Sequence, residues 1–417
     1  MFRALAAGEA PEALSALTGI DPWFLNQMRR IVVLDRALVE RIQRDPEAPW
    51  REGMIREAKR LGLSDRHLAR RLGLTEADVR KRRLAHGLVP VMKAVDTCGA
   101  EFEAVTPYFY STYEEESEVP ASDRVRVMII GSGPNRIGQG LEFDYCCVQA
   151  ALELKQQGYE VLLVNSNPET VSTDYDVSTR LYFEPLTAED VLNVIDAEKP
   201  AGVIVQLGGQ TPLQLARALN EAGVPLWGTS FDGLDTAENR ERFRALMEQL
   251  GLRQPESATA TSPAEALRAA ASLGYPVLVR PSYVLGGRGM RVVYEEAELQ
   301  DWLDHEALIS ADEPVLIDEF LVGALEVDVD AVADGERVLV GAVMEHIEEA
   351  GIHSGDSTCV IPPFTLGEGT VREVVEITGK LARALGVKGL LNVQFAVRAD
   401  QVFVLEANPA PRARCRS

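Results

Sequence analysis

Residues 392–409, NVQFAVRADQVFVLEANP, read as two short β-strands joined by a turn at Arg398–Asp400. Apolar side chains fill most of both runs, as in strands half-buried against a core. Three oxygen-bearing residues interrupt them: Gln394 on the first strand, Glu406 and Asn408 on the second. In such a hairpin Gln394 and Glu406 fall roughly opposite each other. An acid ending an otherwise apolar strand is costly to bury without a cation or hydrogen-bond donors. Magnesium takes a few oxygen ligands plus phosphate oxygens and no sulfur. The hairpin therefore predicts a sheet domain with a hard-cation site on one face.

Two stretches upstream extend this reading. LEVDVDAVAD (325–334) alternates so that Glu326, Asp328 and Asp330 share one face of a strand. Like charges along one face repel, so solvent at a sheet edge, arginine partners or a cation must offset them. VLVRPSYVLGGRGMRVVY (277–294) delivers Arg280 from a strand into Gly286, Gly287, Arg288 and Gly289, followed by another strand. Glycines let backbone approach phosphate oxygens, and guanidinium groups bond them with charge assistance. Either stretch alone is compatible with an ordinary hairpin or a solvated strand. In one domain with Glu406-x-Asn408, they point to ATP with magnesium.

Between about residues 124 and 232 strands and helices alternate: VRVMIIG, EFDYCCVQAALELKQQG, EVLLVNSNP, AEDVLNVIDAEKP, AGVIVQLGG, PLQLARALNEAG and the short VPLWGTS. This order means a parallel sheet flanked by helices. Its loops GSGPNRIGQGLEF, NSNPETVSTDYD and QLGGQTPL follow strands, where ligands bind in such sheets. A G-x-G followed by Pro-Asn-Arg departs from dinucleotide-binding spacing, and a tight turn explains it equally.

The first 95 residues read as helices. Asp21 with Pro22 opens one, Ser64 and Thr75 cap two shorter ones, and Gly73 separates these. Residues 89–124, rich in aromatics and acids, read as an extended connector. Lys and Arg outnumber Asp and Glu across residues 51–90, and LSDRHLARRLGLTEADVRKRRLAHG imitates a DNA-binding helix-turn-helix. A basic-surfaced helical bundle is the plainer reading. The whole chain carries a formal charge of −22, which argues against nucleic acid as its general partner. The 417 residues, 46% hydrophobic, suffice for several domains, and no apolar run reaches membrane-span length. Five irregularly spaced cysteines, without a C-x-x-C pair, suggest neither a disulfide framework nor a zinc site; a reducing cytoplasm fits.

The motifs GPNRIGQGLEFDYCC, NSNPETVSTDYD, RLYFEP, QLGGQTPL, RPSYVLGGRGM, MEHIEEAGIHSGDS and NVQFAV closely resemble the large chain of carbamoyl-phosphate synthetase, from about Val89 onward. The resemblance implies a multidomain α/β and α+β chain. A helical oligomerization domain with its connector would span 1–118, a pre-ATP-grasp parallel α/β domain 119–238, and an incomplete ATP-grasp domain 239–417. It is the second, carbamoyl-phosphate-forming half that is similar, because the helical domain and connector precede it. The implied reaction is phosphorylation of carbamate by ATP with Mg2+ or Mn2+, in arginine and pyrimidine biosynthesis. The implied partners are a small glutaminase chain and further copies through the helical domain. By motif position, Arg240 and Arg280 would contact phosphates, and Gly286 and Gly287 would form a lid. Glu319 and Leu321 would line the adenine pocket, and Glu326 would hold the ribose. Gly351, Ile352, His353 and Ser354 would lie along the nucleotide; Gln394, Glu406 and Asn408 would hold metal. Arg280, His353 and Asn408 are the expected catalytic set. A related ATP-grasp ligase such as biotin carboxylase fits NPETVSTDYD and HIEEAGIHSGDS less well.

The family pattern continues Asn-Pro with arginines that grip substrate, whereas Ala410 stands where the first is expected. Deleting one base from a GC-rich coding stretch for N-P-R-A-S-R-T-V-P-F yields N-P-A-P-R-A-R-C-R-S, the sequence found. A frameshift is therefore expected to have cost this chain its substrate arginines, with synthesis impaired.

Overall fold

The computed structural model describes residues 1–51, 53–134, 141–281, 290–305, 314–348, 350 and 357–410. The chain divides into two compact units. One comprises Met1–Asp123 with Arg180–Lys199, the other Arg124–Thr179 with Pro200–Ser417.

The first unit begins with helices α1 (Phe2–Ala7), α2 (Pro11–Thr18), α3 (Pro22–Arg44), α4 (Ala48–Arg51), α5 (Met54–Arg60), α6 (Asp65–Leu72) and α7 (Glu76–Ala85). Their starts follow the capping residues. Asp21 accepts from the Trp23 N–H with Pro22 at the first turn, and Ser64 accepts from the His67 N–H. Thr75 and Asp78 form a reciprocal capping box. Each such cap contributes about 1 kcal/mol. Gly73 ends α6 at φ 66°, a left-handed conformation that glycine adopts without strain. Leu38, Trp50, Ile55, Leu68 and Val79 pack into one core.

The expected connector is more ordered than its composition suggested. It contains β1 (Val91–Ala94) and β2 (Tyr108–Thr112), paired antiparallel. The aromatic residues that blurred its periodicity are strand residues, Phe109 among them buried.

The second unit opens with β3 (Arg126–Ile130), α8 (Glu142–Gln156) and β4 (Glu160–Asn165). Then come β5 (Arg180–Phe183) and α9 (Ala188–Glu198), which group with the first unit, where β5 runs parallel to β2. The second unit resumes with β6 (Gly202–Ile204), α10 (Gln210–Glu221), α11 (Phe231–Glu238) and α12 (Arg240–Leu250). β3 pairs parallel with both β4 and β6, as the alternating pattern predicts. VPLWGTS contributes only an isolated bridge, Leu226 to Val203, rather than a strand.

The remainder carries two antiparallel sheets. β7 (Ser257–Ala260), β8 (Val277–Pro281), β9 (Arg291–Val293) and β10 (Val315–Glu319) form one, ordered β7-β10-β8-β9, with α13 (Pro263–Leu273) and α14 (Glu296–His305). The other contains β11 (Leu325–Asp334), β12 (Val338–His346), β13 (Cys359–Val360), β14 (Lys388–Arg398) and β15 (Gln401–Asn408), ordered β13-β12-β11-β14-β15. Between β13 and β14 runs α15 (Glu368–Ala384). Its apolar stripe, Val374, Ile377 and Leu381, packs with Val327, Val329, Val393, Phe395, Val402 and Val404 of the sheet. Truncating one of the larger of these to Ala would cost about 2–5 kcal/mol. With that face committed to the core, the strand residues between them are turned to the other face.

Candidate functional site

The other face of the five-stranded sheet carries the acids. β11 lies between β12 and β14, so the edge-strand explanation for Glu326, Asp328 and Asp330 fails. Asp328 is fully buried and Glu326 nearly so. Side chains from neighbouring strands meet them. His346 Nε2 lies 2.7 Å from Asp328 Oδ2, and its Nδ1 lies 3.6 Å from Glu326. Asn392 Nδ2 donates to Asp328 at 3.2 Å and to Asp330 at 2.8 Å. Gln394 Nε2 donates to Glu326 at 3.3 Å. Amides and one imidazole thus meet the like charges that sequence alone could only flag.

β14 and β15 turn through Ala399 and Asp400, both at positive φ. Their register places Gln394 opposite Glu406 and Asn392 opposite Asn408. A one-residue irregularity between Gln394 and Phe395 makes this possible. Phe395 still faces Val404 on the core side, so strict alternation would carry Glu406 to that side too. The extra residue, Leu405, resets the phase and brings Glu406 to the polar face. Asn408 Nδ2 reaches Glu406 Oε1 at 3.4 Å. Gln394, Glu406 and Asn408 thus present amide and carboxylate oxygens from two paired strands, a donor set that suits a hard divalent cation.

Next to the polar row on the same sheet, Leu321, Ala324, Ala396 and Phe403 form a small apolar cluster with Ala350 and Leu405. Glu319 closes β10 and lies 3.6 Å from Arg398, whose guanidinium stacks 5.7 Å from the Phe403 ring. An apolar wall beside charged groups fits a flat heteroaromatic ring with a polar tail.

Arg240 begins α12, and Arg280 lies in β8. Arg280 Nε donates to Asp318 at 3.0 Å, an acid that the sequence reading had not singled out. Loss of hydration, then the neighbouring positive charge of Arg280, lower the Arg240 pKa; Asp318 and Glu406 act in the opposite direction. Two guanidinium groups held within each other's field are stabilised by an anion such as a polyphosphate.

Gly286, Gly287, Gly351, Ile352, His353 and Ser354 lie outside the described residues. Within them, Arg240, Arg280, Glu319, Leu321, Glu326, Gln394, Glu406 and Asn408 all belong to the second unit. His346 and Asn392 join that set without having been anticipated. Their signal is positional: His346 lies one step beyond the Val327–Glu345 pair, which puts it opposite Glu326. No local pattern carries that register.

The basic helices of the first unit show a different use of charge. Arg83, fully buried, bonds Asp65 at 2.9 Å and the Leu88 carbonyl at 2.7 Å. Lys59 bonds Asp65 at 3.0 Å and also Glu189 of α9. Arg80 bonds Asn193 and Asp196 of the same helix. Arg71 and Arg82 pair with Asp35 and Glu47. Arg71, Arg80, Arg82 and Arg83, four of the cations in the stretch that imitates a DNA-reading surface, are engaged by acids of their own unit, which weakens the regulator reading. Among the described residues no helix is long and apolar enough to cross a membrane.

Comparison with known proteins gives three matches along the chain. Residues 1–87 match the carbamoyl-phosphate synthetase large chain oligomerisation domain, residues 123–236 the carbamoyl phosphate synthase preATP-grasp domain, and residues 239–413 the carbamoyl-phosphate synthase L chain ATP binding domain. The carbamoyl phosphate synthase large chain of Archaeoglobus fulgidus is 54% identical over 97% of this chain and 38% of the relative. That of Pseudomonas aeruginosa is 53% identical, with 97% and 38% covered. The chain thus spans well under half the length of these relatives. Among solved structures, the biotin carboxylase domain of Hydrogenobacter thermophilus 2-oxoglutarate carboxylase, in complex with MgADP, ADP and bicarbonate, superposes with a TM-score of 0.54. It is 17% identical, with 70% of this chain and 65% of that one covered, a likeness of fold alone.

Proposed function

The chain belongs to the carbamoyl phosphate synthase large-chain family, with the domains of an ATP-grasp ligase, and on that premise we propose that its second unit binds ATP with magnesium for phosphorylation of carbamate. The observation that carries this reading is the convergence of Gln394, Glu406 and Asn408 on two paired strands, together with Arg240, whose pKa is lowered by burial and by the nearby charge of Arg280.

In that reaction a carboxylate oxygen of carbamate attacks the γ-phosphorus of ATP. The bond from that phosphorus to the bridging oxygen breaks, ADP leaves, and carbamoyl phosphate forms. Little covalent chemistry falls to the protein; positioning and charge neutralisation dominate. Arg240 and Arg280 hold phosphate oxygens. Leu321 and its apolar neighbours receive the adenine, and Glu326 the ribose hydroxyls. Gln394, Glu406 and Asn408 are the residues that would hold magnesium, which when bound neutralises phosphate charge. His346 and Asn392 fix the acids of β11 so that Glu326 keeps one orientation. Among the residues outside the description, Gly286 and Gly287 are assigned to the lid, and Gly351, Ile352, His353 and Ser354 to the nucleotide path.

For this chain we read nucleotide binding as retained and synthesis as impaired, because the buried Ala410 occupies the position of a substrate-gripping arginine. Glutamine-dependent supply through a small partner chain, self-association through the helical unit, a role in arginine and pyrimidine synthesis and a cytoplasmic setting complete the reading. A biotin carboxylase role is the nearest competitor. ADP release from the purified chain with MgATP discriminates between them. A weak stimulation by carbamate and none by biotin is expected; stimulation by biotin with bicarbonate would overturn the assignment.

A further inference from the structure

Among the described residues the ladder of β15 ends at Asn408, yet Pro409 and Ala410 are buried. A buried carbonyl needs a donor, and proline offers no N–H of its own to tie down. The Pro409 carbonyl takes its donor from Gln206, whose Nε2 lies 2.6 Å away.

Gln206 follows β6 in the QLGGQTPL stretch, and the functional reading above leaves that stretch without a role. It is 4% exposed, and both ends of its amide are used. Oε1 accepts from the Thr229 N–H at 2.8 Å. Nε2 donates to Thr229 Oγ1 at 3.0 Å as well as to Pro409. Because a backbone N–H fixes which end is oxygen, the amide cannot flip without losing its bonds. Thr229 Oγ1 also accepts from the N–H of Lys388, the first residue of β14. Gly228 makes the room: a Cβ there would lie 2.0 Å from Gln206 Oε1.

One side chain therefore ties down the end of β15 and, through Thr229, the start of β14. These are the two strands that present Asn408, Glu406 and Gln394. A residue before proline is restricted to extended backbone, so Asn408 has little conformational freedom once the Pro409 carbonyl is anchored. We propose that Gln206 is a positioning residue for the cation site, orienting the Asn408–Pro409 step so that the Asn408 side-chain amide stands beside Glu406. The proposal rests on the reading that Gln394, Glu406 and Asn408 hold magnesium.

The test is the magnesium concentration that half-saturates ATP binding by the full chain, measured by calorimetry. Gln206→Glu keeps the acceptor for Thr229 but loses the donor to Pro409; Gln206→Leu loses both. Each is expected to raise the magnesium midpoint about tenfold or more, the usual effect of removing a partner behind a metal ligand. Thr229→Val breaks the Lys388 link yet leaves Gln206 bonded to Pro409. It is expected to lower the melting temperature while shifting the midpoint less than about twofold. A merely structural clasp would make Thr229→Val and the Gln206 variants alike. Equal midpoints in Gln206→Glu and wild type, or an equal shift in Thr229→Val, would overturn the positioning role. Wild-type ATP binding that ignores magnesium altogether would instead bring down the cation site, and this inference with it. If Gln206→Leu fails to fold, Gln206→Glu against Thr229→Val decides alone.

Discussion

Both units bury charge, and they do so for opposite ends. In the helical unit, Lys59 and Arg83 stand against Asp65 and Glu189, cations matched to acids. On the polar face of β11, β14 and β15, Glu326, Asp328 and Asp330 meet His346, Asn392 and Gln394 as donors, and Glu406 meets the Asn408 amide. A matched cluster fixes structure. A row dominated by acids is stabilised further by an added cation, which is what a binding site requires. Burial alone does not tell the two apart; the balance of charge does.

The largest effect separating them is expected from Arg83→Met. Removing one cation leaves Asp65 buried with Lys59 as its remaining ion-pair partner, at a cost of about 3–5 kcal/mol. Urea denaturation of the full chain reads this. Combining it with Asp65→Leu should recover much of the loss, because replacing both members of a buried pair by apolar groups is far less costly than breaking it. No recovery would mean that Asp65 also answers to something else.

Glu184 sharpens the contrast through pH. Burial raises its carboxyl from 4.5 to about 7, although the Ser111 N–H donates to it. The folded form therefore holds its proton where the unfolded chain has released it. Stability attributable to this group is full below about pH 4.5 and declines as pH rises towards and past 7. At 1.36 kcal/mol per unit, the decline amounts to about 3 kcal/mol at most. Glu184→Gln keeps an acceptor for Ser111 and should flatten this slope, gaining stability at pH 8 relative to pH 5. An unchanged slope would remove Glu184 as its source.

The smallest effect on stability is expected where the effect on binding is greatest. Glu406→Gln removes one charge from the acid-rich row, so the ligand-free chain should melt within about 1 kcal/mol of wild type or slightly above it. A loss of several kcal/mol would class the row with the helical cluster as structure.

Much of this architecture was legible locally. Asp21, Ser64 and Thr75 announced their helices, and the change from β–α alternation to strand-rich sequence marked the sheet domain. The pairing of Gln394 with Glu406 followed from a hairpin, which is a local object. What escaped depends on contacts distant in sequence. That β11 is internal, that His346 faces Glu326, and that residues 180–199 join the helical unit are facts of register and assembly. The bulge at Leu405 escaped because an apolar residue there reads as ordinary alternation, although it decides which side Glu406 takes. Gln206 escaped because its partner, a proline carbonyl, carries no side-chain signal.

The central claim is that oxygen ligands from β14 and β15 bind a divalent cation together with a triphosphate. ATP titration of the purified chain, with and without magnesium, in wild type and Glu406→Ala, tests it most directly. The account predicts magnesium-dependent binding in wild type and a loss of at least about tenfold in the variant, both chains remaining folded. Equal affinity in the two proteins, or in the presence and absence of magnesium, would contradict it.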